Sequence, residues 1–327
     1  MKKTMLRLGL TIALAGALTA CGAANPGNSP ASSGGGNDAP PATSEEAKTR
    51  TVSYLGKEYE LPAKTERIVI AGAVEAMEDS IVLGIKPVGA ISYSGKFPPL
   101  FASITENAEP IGEKTEPSVE KILSLQPDVI IGSTKFKPEV MEKLSKIAPT
   151  IPYSHIATDW ESNLKLLGEL SGKQQQAEQA IAQYKADLET AKTKLGGKQK
   201  DKKVLAVRIR SGQIYIYPES VFFNPVLYQD LGFAVPDEVK GAKAQELLSA
   251  ERFAEMNPDY LFVQFSADEN KDKPEALKEM LNHPVLKNVN AFKNGAVYDN
   301  VVDPLAQGGT AYSKIEFLKA VVDKLAE

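Results

Sequence analysis

The 327-residue chain carries one cysteine and two histidines. A lone thiol closes no internal disulfide, so stability has to come from packing. His155 and His283 are too few for the buried sets of histidine and carboxylate that hold a bare manganese or zinc ion. His283 also lies in Asn282-His283-Pro284, at a helix end, where surface capping is the ordinary role. There is no G-x-S-x-G elbow and no phosphate loop, and nothing places a serine beside a histidine for ester hydrolysis, so enzyme chemistry has no carrier. An excess of positive charge is missing too. With 38 Lys and Arg against 42 Asp and Glu the formal charge is −4, which argues against a nucleic-acid partner. The one long apolar run, LGLTIALAGALTA, is too short to cross a bilayer.

That run is preceded by Lys2, Lys3 and Arg7 and ends at Leu18-Thr19-Ala20-Cys21. It resembles a bacterial lipoprotein signal with its lipobox. The resemblance implies that residues 1–20 are removed, that Cys21 carries a lipid, and that the protein works at the extracytoplasmic face of the cell membrane. Acylation would also remove Cys21 as a nucleophile. Loss of the three signal cations takes the formal charge from −4 to about −7. Residues 21–50 are Gly, Ser, Pro, Ala and Asn with almost no large apolar side chain, a composition that cannot offset the entropy of ordering and reads as a tether.

From Thr51 the pattern is that of a globular α/β chain. Thr51–Leu61 reads as a hairpin. Arg67–Ala71, Val88–Ile91, Asp128–Ile131 and Thr150–Tyr153 read as strands, with helices at Val74–Leu83, Ser118–Leu125 and Pro138–Ile147. The alternation resumes later, with strands at Lys203–Arg210, Ile214–Tyr217, Tyr260–Gln264 and Ala296–Asp299. Helices are expected at Asn224–Leu231, Ala250–Met256, Glu275–Leu281 and Ala311–Leu325. Such alternation predicts parallel βα units. Between the two series, Ala177, Ile181, Tyr184, Leu188, Ala191 and Leu195 recur with the helical period. Lys173–Leu195 should therefore be one helix of roughly 35 Å, ended by Gly196-Gly197.

One phrase occurs on both sides of that helix. EKILSLQPDVII from Glu120 matches ERFAEMNPDYLF from Glu251, each a helix that stops before a Pro-Asp turn and feeds a buried strand. The expected architecture is two similar Rossmann-like α/β lobes joined by a rigid helix, with a ligand cleft between them. The divisions are 51–172 for the N-terminal lobe, 173–197 for the linking helix and 198–327 for the C-terminal lobe.

Ligands of open α/β lobes sit beyond the carboxyl ends of the strands. Lys114 and Lys135 lie in two such loops of the first lobe. Arg208 and Arg210 share one face of an otherwise apolar strand in the second, where charge is costly unless paired. Together they would form a basic cluster suited to an anion of delocalised charge. The alternatives are ordinary surface lysines and an internal arginine salt bridge. Tyr93, Phe136, Trp160, Tyr217, Phe222 and Tyr312, at strand ends or in loops, are candidate aromatic lining residues, most of them expected in the core.

RIVIAGAVEAMEDSIVLGIKPVGA, EPSVEKILSLQPDVIIGS, DWESNLKLLGELSGK, VLYQDLGF, SAERFAEMNPDYLFV and AFKNGAVYDN together cover nearly all of the chain from Arg67 onward. They resemble the substrate-binding lipoproteins of ferric-siderophore ABC importers. The resemblance implies small lobe movements, no catalysis, and no cofactor besides an Fe(III)-siderophore as ligand, the iron bound through the siderophore. It implies a monomer that delivers its ligand to an ABC permease. Ferric triscatecholate binders, those for bacillibactin and enterobactin, use first-lobe lysines and second-lobe arginine at positions matched by Lys114, Lys135, Arg208 and Arg210, with Lys243 and Gln245 as further matches. Glu120 and Glu251 match the acidic residues that dock the permease, Glu116 and Glu246 being neighbours able to replace them. Citrate-type carboxylate and hydroxamate siderophores are the alternative ligands.

Overall fold

The computed structural model describes residues 48–326. The signal segment, Cys21 and residues 21–47 of the expected tether lie outside the described residues. An antiparallel hairpin of β1 (Thr49–Tyr54) and β2 (Lys57–Pro62) opens the fold. It is fastened to the first lobe by Tyr54, whose hydroxyl donates to Asn163 and accepts from the Ser154 amide at 2.8 Å.

The first lobe is a five-stranded sheet of β3 (Ile68–Ile70), β4 (Gly89–Ala90), β5 (Glu109–Pro110), β6 (Val129–Ser133) and β7 (Thr150–Tyr153). Its order is β5-β4-β3-β6-β7, parallel throughout. The second sheet contains β8 (Val204–Arg210), β9 (Gln213–Ile216), β10 (Glu246–Leu247), β11 (Tyr260–Phe265) and β12 (Val297–Asp299), in the order β10-β9-β8-β11-β12. Only β8, β11 and β12 are parallel; β9 and β10 run antiparallel to their neighbours, so the parallel βα units expected from the alternation do not extend to this edge. The cause is the pair Ser211-Gly212, with φ of +49° and +77°. Two successive left-handed residues make the tight hairpin turn whose twist matches that of the strands, so β9 folds straight back on β8. A second departure is Asn224–Leu231, where Val226–Asp230 forms a π-helical turn instead of an α-helix.

The repeated phrase has a physical basis. In both copies a serine caps the helix: the Ser118 side chain accepts from the Lys121 amide, and Ser249 from the Arg252 amide. Gln126 and Asn257, each at φ +45°, turn the chain out of the helix. The aspartate then clamps the start of the neighbouring strand. Asp128 accepts from the Glu66 and Arg67 amides at 2.8 Å, and Asp259 from the Lys203 amide at 2.9 Å. Each phrase thus sets the register of the lobe's two central strands.

The linking helix spans Gln174–Leu195 and ends at Gly196, φ +58°. Its buried residues are the six that recur in the sequence: Ala177, Ile181, Tyr184, Leu188, Ala191 and Leu195. The preceding helix, Trp160–Ser171, is separated from it by Gly172 in the left-handed region and packs beside it. The helix Ala311–Leu325 lies against the linking helix and also against the first-lobe helix Val74–Leu83. Two polar clusters fasten it there. In one, Glu78 accepts from the Gln307 amide at 2.7 Å and the Thr310 hydroxyl at 2.6 Å, while Asp79 accepts from the Ala311 amide at 2.7 Å. These carboxylates sit at the N-terminus of the last helix, where donors and dipole favour negative charge. Burial pushes their pKa values up, to about 7 for Glu78 and about 8 for Asp79, with the surrounding donors opposing. In the other, the buried Lys314 ammonium donates to Asp230 at 2.6 Å and lies 5.5 Å from the Trp160 ring and 5.3 Å from that of Tyr184. The Tyr184 hydroxyl donates to the same carboxylate oxygen at 2.6 Å.

Candidate functional site

The carboxyl ends of the two sheets face a cavity of about 540 Å³. The first lobe contributes Glu75, Lys114, Lys135 and His155, and the second contributes Arg208, Arg210, Tyr217, Phe222, Lys243, Gln245 and Gln307. Lys114 follows the loop after β5, and Lys135 stands just beyond β6, where a parallel strand delivers its chain to the sheet edge. Arg208 and Arg210 occupy the last turns of the pleat of β8 and share a face, as a period of two requires.

Each lobe brings its own counter-ion. Lys135 donates to Glu75 at 2.8 Å; its side chain is 43% exposed, that of Glu75 only 4%. Burial alone would raise the Glu75 pKa, but Lys135 and Lys114 outweigh it and hold the carboxyl below the usual range. Arg208, 6% exposed, donates from Nε and Nη2 to both oxygens of Glu269 at 2.8 Å, and Arg210 donates from Nη2 to the same group at 2.7 Å. The two readings of the arginine pair are therefore both realised: the pair lines the cavity and forms an internal salt bridge. Lys114, half-buried, donates instead to the neutral Gln307 side chain at 3.2 Å. Burial and the nearby cations Lys135, Arg208 and Arg210 pull its pKa down to about 8, against the pull of Glu75.

The remaining residues divide clearly. Gln245 accepts from Arg210 at 2.7 Å and from the Tyr217 hydroxyl at 2.9 Å, and Tyr217 packs on Phe222 with ring centroids 4.7 Å apart. Lys243 is exposed at the rim, its amide donating to Glu246. Tyr93 lines an adjoining cavity of about 420 Å³ that also contains Lys114, Arg208, Arg210 and Glu269. Phe136, Trp160 and Tyr312 line neither cavity. Phe136 is packed against Gly72, whose φ of +78° and missing Cβ leave room for the ring and for the Lys114 carbonyl. Trp160 is buried edge-on to Tyr184, and Tyr312 sits on the first turn of the last helix. Position near a strand end brought these rings into consideration; their apolar area placed Phe136 and Trp160 in the packed interior.

Glu75, His155, Gln307 and Glu269 were not among the expected site residues. His155 Nδ1 lies 2.8 Å from the Thr134 hydroxyl oxygen, and burial followed by Lys135 lowers its pKa. A signal for Glu75 exists in the sequence: Glu75, Glu78 and Asp79 interrupt an otherwise apolar helix, and all three are buried. Glu269 lies in Ser-Ala-Asp-Glu-Asn-Lys, which reads as a solvated turn. Among the described residues no cluster of three or more His, Cys, Asp or Glu is arranged to hold a metal ion, and no helix is long and apolar enough to cross a membrane. Glu120 and Glu251 are exposed on the first turns of the two serine-capped helices, one in each lobe.

Residues 82–300 match the sequence profile described as periplasmic binding protein. The chain belongs to the periplasmic binding protein family. It is 51% identical over 327 residues, the whole of both chains, to the iron-uptake system-binding protein of Bacillus subtilis (strain 168). A probable siderophore-binding lipoprotein of the same organism, YfiY, is 33% identical over 276 residues, 80% of this chain and 84% of its own. Among solved structures, the triscatecholate siderophore-binding protein FeuA from Bacillus subtilis, complexed with ferri-bacillibactin, superposes with a TM-score of 0.81 at 55% identity. That match covers 84% of this chain and 98% of the other. The relatives are binding proteins, and the two-lobed α/β fold is common to them.

Proposed function

We propose that the protein captures a ferric triscatecholate siderophore of the ferri-bacillibactin type outside the cytoplasm and delivers it to an ABC permease for iron uptake, with no catalytic step. The observation that carries this reading is the convergence of Lys114, Lys135, Arg208 and Arg210, from both lobes, on one cavity of an acidic protein. Three dianionic catecholates around Fe(III) leave a complex of charge −3 spread over aromatic rings. Ammonium groups bond the catecholate oxygens, and guanidinium groups bond them or stack over the rings. In this reading the mature chain begins at a lipid-bearing Cys21 and acts as a monomer tethered by the residues ahead of Thr49, since Thr49 and Arg50, expected in the tether from composition, belong to β1. Residues 51–172 and 198–327 are its two lobes. Fluorescence titration with ferric triscatecholate, ferric citrate-type and ferric hydroxamate complexes tests it: the triscatecholate should bind tightest, and tighter binding of a hydroxamate would reject the reading.

The Lys114 pKa near 8 adds a pH dependence. The ammonium, present below pH 8, is the form that attracts the anion, so affinity should fall as pH rises through 8 and beyond, by at most one proton's slope. Lys114→Arg should flatten the profile between pH 7 and 9.5; a flat profile in the unaltered protein would make Lys114 a spectator. For delivery, Glu120 and Glu251 present one carboxylate per lobe to a permease of matching symmetry. Replacing both with alanine should leave the dissociation constant in solution unchanged and reduce uptake of iron-55-labelled siderophore by cells. Undiminished uptake would move the docking role to other residues.

A further inference from the structure

We propose that Glu269 determines specificity, by occupying one hydrogen-bonding edge of Arg208 and, with Gln245, one of Arg210, so that the cavity disfavours small carboxylate and phosphate anions. An arginine takes such an anion through two parallel N–H donors on one edge of the guanidinium. At Arg208 the edge carrying Nε and Nη2 is filled by both oxygens of Glu269, each at 2.8 Å. At Arg210 the edge carrying Nη1 and Nη2 is filled from both sides, Nη2 by Glu269 and Nη1 by Gln245, each at 2.7 Å. The Gln245 oxygen is itself fixed by the Tyr217 hydroxyl at 2.9 Å. A small oxyanion taking these edges has to displace a carboxylate that belongs to the chain and loses no translational freedom on binding, so its net gain is small.

What the arginines still offer is their planar faces, and the donors on Nη1 of Arg208 and Nε of Arg210, which none of these bonds engages. A planar cation with its counter-ion already in place is suited to an aromatic ring carrying diffuse negative charge, since face-to-ring stacking needs no free N–H. Oxygen recognition is then left to Lys114 and Lys135. The inference rests on the reading of this cavity as the ligand site and sharpens it: the second lobe sorts anions by shape, where the first supplies the point charges.

The test replaces the internal carboxylate. Glu269 lies in a short turn at the rim, its side chain 21% exposed; Glu269→Gln keeps the size of the side chain but leaves the buried Arg208 without its counter-ion, so each protein is compared with itself across the three salts. The thermal midpoint of the unliganded protein is measured in phosphate, in citrate and in chloride at equal ionic strength and pH. The unaltered protein should show only the general stabilisation that excluded anions give, and Glu269→Gln should be stabilised by phosphate and citrate beyond that. In parallel, the apparent Kd for a ferric triscatecholate should rise about tenfold in phosphate relative to chloride for the variant, and stay constant for the unaltered protein. Glu269→Asp, too short to hold both guanidinium groups, should fall between them and serves if the glutamine variant does not fold. Equal phosphate response in all three proteins would overturn the role of Glu269. Absence of triscatecholate binding by the unaltered protein would instead overturn the functional reading, and the ligand-free midpoints would still decide the role of Glu269.

Discussion

Replacing Lys114 and Lys135 together with alanine should raise the Kd for a ferric triscatecholate by two to four orders of magnitude, about 3–6 kcal/mol, taking ~1.5–3 kcal/mol for each buried charge-assisted hydrogen bond. The two lysines should not contribute equally. Lys135 has a 43% exposed side chain and is already neutralised by Glu75, so its share belongs at the lower end. Lys114 is deeper, has a neutral partner in Gln307, and is destabilised as an ammonium by burial and then by the neighbouring cations. An arriving anion relieves that destabilisation, so its contribution should be the larger. The double variant also leaves the Glu75 carboxylate buried without its cations, which costs stability independently of binding. Adding Glu75→Gln should recover the thermal midpoint without recovering affinity. A Kd for the double variant within threefold of the original would return both lysines to ordinary surface residues.

Asp230→Ala should destabilise the fold by about 3–5 kcal/mol, because it leaves the Lys314 ammonium buried without a counter-ion. Lys314 is 1% exposed, and its neighbours Trp160 and Tyr184 give it ring faces but no charge. The same substitution strips the Tyr184 hydroxyl, on the linking helix, of its acceptor. Three helices meet at this point: the last helix of the first lobe, the linking helix and the C-terminal helix. Urea unfolding followed by the fluorescence of Trp160, the single tryptophan of the chain, reports directly on it. The paired change Asp230→Leu with Lys314→Met should restore most of the loss, since a buried ion pair replaced as a whole by apolar groups is often neutral or better. A loss below about 1 kcal/mol for Asp230→Ala would mean that water reaches the ammonium.

The linking helix was legible from its period because all six of its buried positions repeat at 3.6 residues, and a helix packed along one face leaves that trace. The repeated Glu-to-Pro-Asp phrase was legible as a pattern, but its reason, an aspartate clamping the strand beside it, exists only when two chain segments are adjacent. Lysine and arginine positions were readable because strand ends define the cleft of an open α/β lobe. Their counter-ions were harder. Glu75 interrupts an apolar helix and so carries a signal, whereas Glu269 meets Arg208 and Arg210 across about 60 positions of chain from a turn whose composition is that of solvated surface. The reversal at β9 rested on Ser211-Gly212, a local turn signal that the broader alternation of strands and helices obscured. Phe136 and Trp160 show the limit in the other direction: nearness to a strand end does not distinguish a ring that lines a cleft from one that fills the core.

The linking helix and the polar clusters that bind the last helix to both lobes should give the cavity a nearly fixed width. Under the proposed function, cations from the two sides would then be held at a set separation before any ligand arrives, lowering the ordering cost of binding a bulky, rigid anion. A crystal structure of the mature protein with a ferric triscatecholate, with the iron located by its anomalous scattering, tests this most directly. The account predicts iron between the lobes, catecholate oxygens against the ammonium groups of Lys114 and Lys135, rings over the faces of Arg208 and Arg210, and Glu269 still bonded to both arginines. Iron seated outside this cavity, or a complex that touches none of the four cations, would contradict it.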